Sequence, residues 1–254
     1  MHPAGLELNR PGTRDAWLGE TQQLDFGVSN VRILATRLTQ LLHTERSKAV
    51  VIHDHVKGLP FACVPDFIHT SASEVLKLGH GDCHTKGLLM VALLRAVAIP
   101  ARLRFVTLST RFLSGLIDTG SQTMTHAMTE VLLEGRWYQI DTYVVDPTLS
   151  REAREQLFAR EQKLGLGVHA YGDQDWNGLH DAHAQYAESD SDSLPVVDWG
   201  VDHDPAHFYA DESHAALRRT FGVRMKWVLG AHLVNRKIEQ IRRRGDSALM
   251  GSMF

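Results

Sequence analysis

The sequence predicts an α+β fold in which a central buried helix packs on an antiparallel sheet, with further helices toward both ends of the chain. Two observations carry this prediction. The run from Cys83 to Val97 is apolar on nearly all sides, which is typical of a buried helix. After Pro100 the periodicity becomes strand-like in "ARLRFVTLS" and "HAMTEVLLEGRWYQIDTYVVD", where Glu134-Gly135 marks a hairpin turn.

The segments before this core predict helices that form an N-terminal layer. Apolar residues recur at helical spacing over 28–48, with Ser29 or Asn30 as the cap, and a second helix is expected over about 48–57. In "TSASEVLKLGHGD" a serine followed by Glu74 predicts a short capped helix that ends at a glycine turn.

The second half of the chain predicts helices separated by irregular structure. Residues 110–124 form a long connection, which we expect to shape access to a site. Helical patterns occupy 149–165, 206–220 and 221–243, whereas 165–205 are rich in Asp, His, Gly and Ser and predict no regular element. We therefore expect irregular structure between the core and the last helices.

Length and composition predict one domain. The 254 residues are 43% hydrophobic and 22% charged, enough to bury a core. We expect a single domain over 1–254, with its core at about 45–148, a helical N-terminal layer over 1–44 and a helical and irregular extension over 149–254.

Charge and hydropathy narrow the expected partners and compartment. The net charge of -3 gives no field that would recruit nucleic acid or an anionic membrane. No secretory signal and no apolar run of about 18 residues is seen, so we expect a cytoplasmic protein. Two cysteines, Cys63 and Cys83, are too few for a disulfide framework, and we expect both to be reduced.

Cys83 is the first candidate for chemistry. It follows Gly81 and Asp82 at the expected first turn of the buried helix, where unpaired backbone N–H groups and the helix dipole favour a thiolate. This position predicts a lowered pKa and a nucleophilic thiol. The alternative is that Cys83 is only a small buried hydrophobe.

His126 and Asp141 are the candidate partners of the thiol. A nucleophilic cysteine needs a base, and the base needs an acceptor that fixes its tautomer. The predicted hairpin brings the start of one strand, at His126, beside the end of the next, at Asp141. We therefore expect their side chains to be cross-strand neighbours.

These motifs together resemble the transglutaminase-like superfamily. The resemblance rests on "ASEVLKLGHGDCHTKGLLMVALLRAVAIPARLRF" followed by "THAMTEVLLEGRWYQID", and covers roughly 45–148. It implies a papain-like core with Cys83 as nucleophile, His126 as general base and acid, and Asp141, four residues after Trp137, as the orienting carboxylate.

The sequence departs from the family pattern at three places. Met128 stands where an aromatic residue is usual, and Ala98 replaces a glycine before Ile99-Pro100. Neither change removes a catalytic group. The family's Asp-Pro-Thr is displaced to Asp146, which is the alternative to Asp141 as the third member of the triad.

Several neighbouring residues are candidates for substrate binding. Asp82, His84 and Lys86 flank the nucleophile, and we predict that they contact the substrate. The backbone N–H of Cys83 is the first expected oxyanion donor, and the second is expected from an upstream segment. That segment contains three candidates, which the spacing does not separate: His53, His55 and Lys57.

The histidine-rich stretch 165–214 could suggest a metal, but "HDAH" is tied to no further ligand by a known spacing. We expect neither a metal nor another cofactor.

The sequence therefore predicts a cysteine-dependent acyl-transfer enzyme, in the first place a hydrolase of the amidase or peptidase kind that forms an acyl-enzyme on Cys83. Its expected partner is a peptide, protein or small-molecule amide. Three alternatives stay open: transfer of the acyl group to an amine, a specialised biosynthetic reaction, and a catalytically silent binding module. The oligomeric state is not predicted.

Overall fold

The structure is a computed structural model that describes residues 14–217 and 230–244. The predicted α+β fold class is confirmed: helices pack against a four-stranded antiparallel sheet. Among the described residues, none of the helices combines the length and apolar character that crossing a membrane requires.

Four helices precede the sheet: α1 (Ser29–Thr39), α2 (Glu45–Gly58), α3 (Ala72–Leu78) and α4 (Cys83–Ala96). The helix expected over 28–48 is wrong in its extent. It ends at Thr39, and α2 begins earlier than expected because the Thr44 side chain caps it by accepting the Ser47 N–H at 3.1 Å. Neither Ser29 nor Asn30 is the cap of α1, since both lie inside the helix and Val28 precedes it.

Helix α3 has the predicted capping box, formed by Ser71 and Glu74. It ends at Gly79, whose φ of 67° lies in the left-handed region that glycine enters without strain. Helix α4 then runs through the core, with all of its residues from Cys83 to Arg95 buried. The apolar pattern therefore identified the central helix.

The sheet contains β1 (Ala101–Ser109), β2 (Thr123–Leu133), β3 (Arg136–Ile140) and β6 (Val197–Asp202) in the order β3-β2-β1-β6. Strands β2 and β3 form the predicted hairpin, with positive φ at both Glu134 and Gly135. The edge strand β6 was not predicted, because its residues lie in a stretch without clear alternation.

The rest of the described chain wraps around this core. It contains α5 (Pro147–Ala159), the short strands β4 (Leu164–Gly165) and β5 (Val168–His169), α6 (Pro205–Ala210), and a helical segment over 230–244. Short 3₁₀ helices occur at Asp15–Trp17, Thr110–Leu113, Ser191–Ser193 and Glu212–Leu217. Of the helix predicted over 206–220, the described residues form α6 and a 3₁₀ helix, and 218–220 lie outside the described residues, as does part of the helix predicted over 221–243.

Candidate active site

Cys83 is the first residue of α4, and its turn is held by the side chain of Asp82. The Asp82 carboxylate accepts the Thr85 N–H at 3.0 Å and the Val64 N–H at 3.1 Å. Gly81 is required before this turn, because a Cβ there would lie 2.7 Å from the Thr85 hydroxyl. The glycine and aspartate therefore fix the position of the thiol.

His126 and Asp141 form a buried pair at 3.1 Å between Nε2 and Oδ2. His126 is the fourth residue of β2, and Asp141 follows the last residue of β3. Because Thr129 is opposite Ile140, the pair lies diagonally across the two strands. The structure thus brings the predicted histidine and aspartate together as cross-strand neighbours.

The Cys83 sulfur lies against the same strand. It accepts the backbone N–H of Ala127, the residue after His126, and that of His84. The second ring nitrogen of His126, Nδ1, is buried and has no hydrogen-bond partner among the described residues. Nε2 is engaged by Asp141, so Nδ1 is the nitrogen that remains for the thiol.

The environment of the resting thiol differs from the sequence-based expectation. Burial raises the pKa of Cys83, the neighbouring Asp82 carboxylate raises it further, and the two backbone N–H donors oppose this shift. The expected lowering of the pKa by the helix N-terminus is wrong, because desolvation outweighs it. Cys83 therefore needs a proton acceptor in order to act as a nucleophile.

Asp146 does not take part in this site. Its carboxylate accepts the Phe61 N–H at 2.9 Å and the Leu149 N–H at 3.1 Å, and pairs with Arg242 at 2.6 Å. These contacts cap α5 and attach the 230–244 segment. The geometry thus supports Asp141 over the alternative carboxylate.

The three predicted substrate-binding residues are placed differently. Asp82 and His84 border the cavity next to Cys83. His84 Nδ1 is 2.9 Å from the Tyr209 hydroxyl, and burial together with His126 lowers the pKa of His84 to about 3. His84 therefore offers a neutral imidazole at neutral pH, whereas the Asp82 carboxylate is already used by the helix cap.

The structure contradicts the prediction that Lys86 contacts the substrate. It is fully buried and does not border the cavity. Its ammonium donates to the carbonyls of Leu59 at 2.8 Å and Val144 at 3.0 Å, and burial lowers the pKa of Lys86 to about 7. The side chain joins α4 to the segments that flank it.

The upstream candidates for the second oxyanion donor do not border the cavity either. His53 Nε2 lies 2.8 Å from the Thr142 hydroxyl, and Lys57 pairs with Asp175 at 2.5 Å. Neither these two nor His55 is placed to contact an acyl group bound at Cys83.

A cavity of about 400 Å³ opens beside Cys83. This volume lies in the range of small-molecule sites. The 110–124 connection forms one wall, as predicted, and the 230–244 helix forms another. Most of the lining is apolar, and it includes Phe61, Phe67, Phe112, Leu116, Val234 and Ile238. Cys63 also borders the cavity, and no disulfide joins it to Cys83.

The sequence did not predict that Ala184 and Gln185 lie at the site. The Ala184 N–H donates to Asp141 Oδ1 at 2.6 Å, and the next residue, Gln185, borders the cavity. These residues lie in the stretch that had no periodicity. The only usable signal was composition, since a polar, glycine-rich stretch of this length predicts a loop but not its contacts.

One cluster could hold a metal ion among the residues described. Asp202, His203 and His207 place one ligand atom each within 4.8 Å of the others. None of the three borders the cavity, and both histidines are exposed. The cluster is thus separate from the thiol site.

A cysteine at a helix N-terminus and a strand-borne histidine paired with an aspartate define a thiol–imidazole–carboxylate site on an α+β core. Residues 32–142 match the family model of the transglutaminase-like superfamily. The predicted resemblance is thereby confirmed, and all three residues of the site lie within the match.

Two solved structures are similar to the chain. One, a "putative cysteine protease" from Cytophaga hutchinsonii, is 21% identical and covers 55% of this chain and 45% of its own, with a TM-score of 0.44. The other, a "putative protease" from Parabacteroides distasonis, is 20% identical and covers 50% and 25%, with a TM-score of 0.34. The chain thus spans less than half the length of each. No curated protein matches it in sequence.

Proposed function

We propose that the protein is a cysteine-dependent hydrolase of an amide or related carbonyl that works through an acyl-enzyme on Cys83. The observation that carries the proposal is the buried His126–Asp141 pair. His126 Nδ1 has no hydrogen-bond partner among the described residues, and the next residue, Ala127, donates its backbone N–H to the Cys83 sulfur. The match to the transglutaminase-like superfamily supports a cysteine-dependent enzyme, and hydrolysis is the reaction that we propose for it.

The proposed reaction begins when Cys83 Sγ attacks the substrate carbonyl carbon and its proton passes to His126 Nδ1. Asp141 holds the ring and stabilises the imidazolium. The negative oxygen is bound by the backbone N–H of Cys83, because N–H groups in the first turn of a helix have no partner within that helix. The carbon–nitrogen bond then breaks, and His126 returns the proton to the leaving amine.

Water completes the proposed cycle. It attacks the thioester carbonyl while His126 accepts its proton, the carbon–sulfur bond breaks, and the thiolate recovers the proton as the carboxylic acid leaves. The apolar lining of the cavity favours a substrate with an apolar group next to the reacting carbonyl. His84 and Asp82, which border the cavity, are proposed to contact the substrate.

The proposal is tested with p-nitrophenyl hexanoate, an activated ester with an apolar acyl chain. We expect acylation of Cys83, seen by peptide mass mapping, and continued release of p-nitrophenolate. His126→Asn should slow acylation by about 10²- to 10⁴-fold, because the general base is lost. Acylation of Cys83 at the same rate in His126→Asn would contradict the proposal.

The chain offers a matched control. His169 is also buried and its Nε2 pairs with Asp190 at 3.0 Å, but neither residue borders the cavity. His169→Asn removes a similar pair, so it should lower stability without lowering the acylation rate. Adding ethylamine separates the alternatives: an N-ethyl amide formed in preference to the free acid, and only when Cys83 is present, would favour transfer to amines, and the absence of acylation would favour a binding module.

A further inference from the structure

Gln185 is a buried polar side chain in the cavity wall that has no role in the proposed reaction. It borders the cavity together with Cys83 and is only 2% exposed. Its Oε1 has no hydrogen-bond partner among the described residues. A buried amide oxygen without a partner is unfavourable and therefore rare in folded proteins, so it calls for an explanation.

The backbone around Gln185 is firmly held, so its position is not an accident of a loose loop. Ala184 donates to Asp141 Oδ1 at 2.6 Å. Two residues earlier along this stretch, Ala182 donates to the Gln139 carbonyl at 2.9 Å and accepts the Asp141 N–H at 3.1 Å. Three hydrogen bonds to the β3 end of the sheet thus present the Gln185 amide beside the triad.

We infer that Gln185 is a substrate-binding residue whose Oε1 accepts an amide N–H of the substrate. An ester or a simple fatty acyl group offers no donor near its carbonyl, whereas a peptide or N-acylated amino acid does. The surrounding wall is apolar, so the side chain beside that amide should be apolar as well. The inferred substrate class is therefore a peptide or N-acylated amino acid derivative with an apolar side chain; this rests on the proposed function.

The test compares two alkylating reagents that differ by one acetamido group. N-acetyl-phenylalanyl chloromethyl ketone carries the amide N–H, and 1-chloro-4-phenylbutan-2-one lacks the acetamido group. Each reagent forms a carbon–sulfur bond with Cys83 and releases chloride. The second-order rate at Cys83 is measured by peptide mapping, which also separates Cys63.

We expect Cys83 in the folded wild-type protein to react about tenfold faster with the amide-bearing reagent. The reason is that its N–H would form one hydrogen bond and would give the buried Gln185 Oε1 a partner. Gln185→Leu should reduce this preference to about one while leaving the rate with the amide-free reagent unchanged. Gln185→Glu, which keeps an acceptor, should retain the preference and guards against a folding defect in the leucine variant. Glu188→Gln, an exposed change three residues on, is the control and should behave as the wild type.

Two other outcomes would overturn the inference, and a third would overturn the proposed function. A tenfold preference that persists in Gln185→Leu overturns the inference. Equal slowing with both reagents also overturns it, because it would place Gln185 at the reacting carbonyl and not at an amide. If neither reagent modifies Cys83 faster than it does in His126→Asn, the proposed function itself fails, whatever Gln185 does.

Discussion

Two parts of the molecule meet at the candidate site, and they hold it in different ways. The core holds Cys83, His126 and Asp141 by regular structure: a helix N-terminus and two paired strands. The outer stretch over 170–209 contacts Asp141 through the Ala184 N–H and the Ala182 carbonyl, and its Tyr209 hydroxyl contacts His84, the residue next to Cys83. The core thus sets which chemistry is available, and the outer stretch sets the surroundings of that chemistry.

This difference predicts how substitutions should divide. Changes to the core residues should remove the reaction while the fold survives. Changes in or under the outer stretch should alter stability and substrate preference first.

The largest effect is expected for Asp141→Asn. The asparagine keeps an oxygen for the Ala184 N–H but removes the charge that stabilises the His126 imidazolium, so we expect kcat to fall by about 10³-fold. The assay is p-nitrophenolate release under saturating ester. Asp146→Asn is the matched control: it should lose stability through its contacts with Phe61 and Arg242 but keep kcat within a few-fold.

A loss of stability is expected for Arg154→Met. This buried guanidinium donates to the carbonyls of Ala170, Gly172 and Asp173 at 2.8 to 2.9 Å. Its loss leaves three carbonyls of the outer stretch without a donor, so the free energy of unfolding should fall by about 2 to 4 kcal/mol.

Urea unfolding followed by tryptophan fluorescence measures this change. Arg160→Met, at the exposed residue that follows the same helix, should change stability by no more than about 0.5 kcal/mol. If Arg154→Met removed activity without loss of stability, the outer stretch would belong to the chemistry and the division would be wrong.

The smallest effect is a dependence of stability on pH. His84 in the folded protein has a pKa of about 3, below its ordinary 6.5, so the unfolded chain binds the proton first as pH falls. Stability is fully present above about pH 6.5 and is lost toward pH 3, and the His84 contribution lost between pH 7 and 5 is about 2 kcal/mol.

His84→Asn should therefore flatten the decline in the free energy of unfolding between pH 7 and 5. The measurement is urea unfolding at both pH values, with the exposed His69→Asn as the comparison. An equal decline in wild type and His84→Asn would mean that His84 is protonated in the folded protein.

The predictability of the molecule follows the same division. The apolar run of α4, the Glu134-Gly135 turn and the spacing to Asp141 are local patterns, and they predicted the helix, the hairpin and the pairing of His126 with Asp141. Strand β6 pairs with β1, and Gln185 and Tyr209 reach the site, through contacts between residues distant in sequence, which no periodicity predicts. The direction of the Cys83 pKa shift was also missed, because burial depends on the whole fold and outweighs the helix terminus.

The central claim is that His126, and not the helix terminus alone, activates Cys83. The most direct measurement is the rate of Cys83 alkylation by iodoacetamide from pH 6 to 9 in wild type and His126→Asn, with Cys63 as the internal reference. Because burial raises the pKa of the thiol, we expect Cys83 in the wild type to react at least about tenfold faster at pH 7 than in the variant, with Cys63 unchanged. Equal rates at Cys83 in the two proteins would contradict the claim.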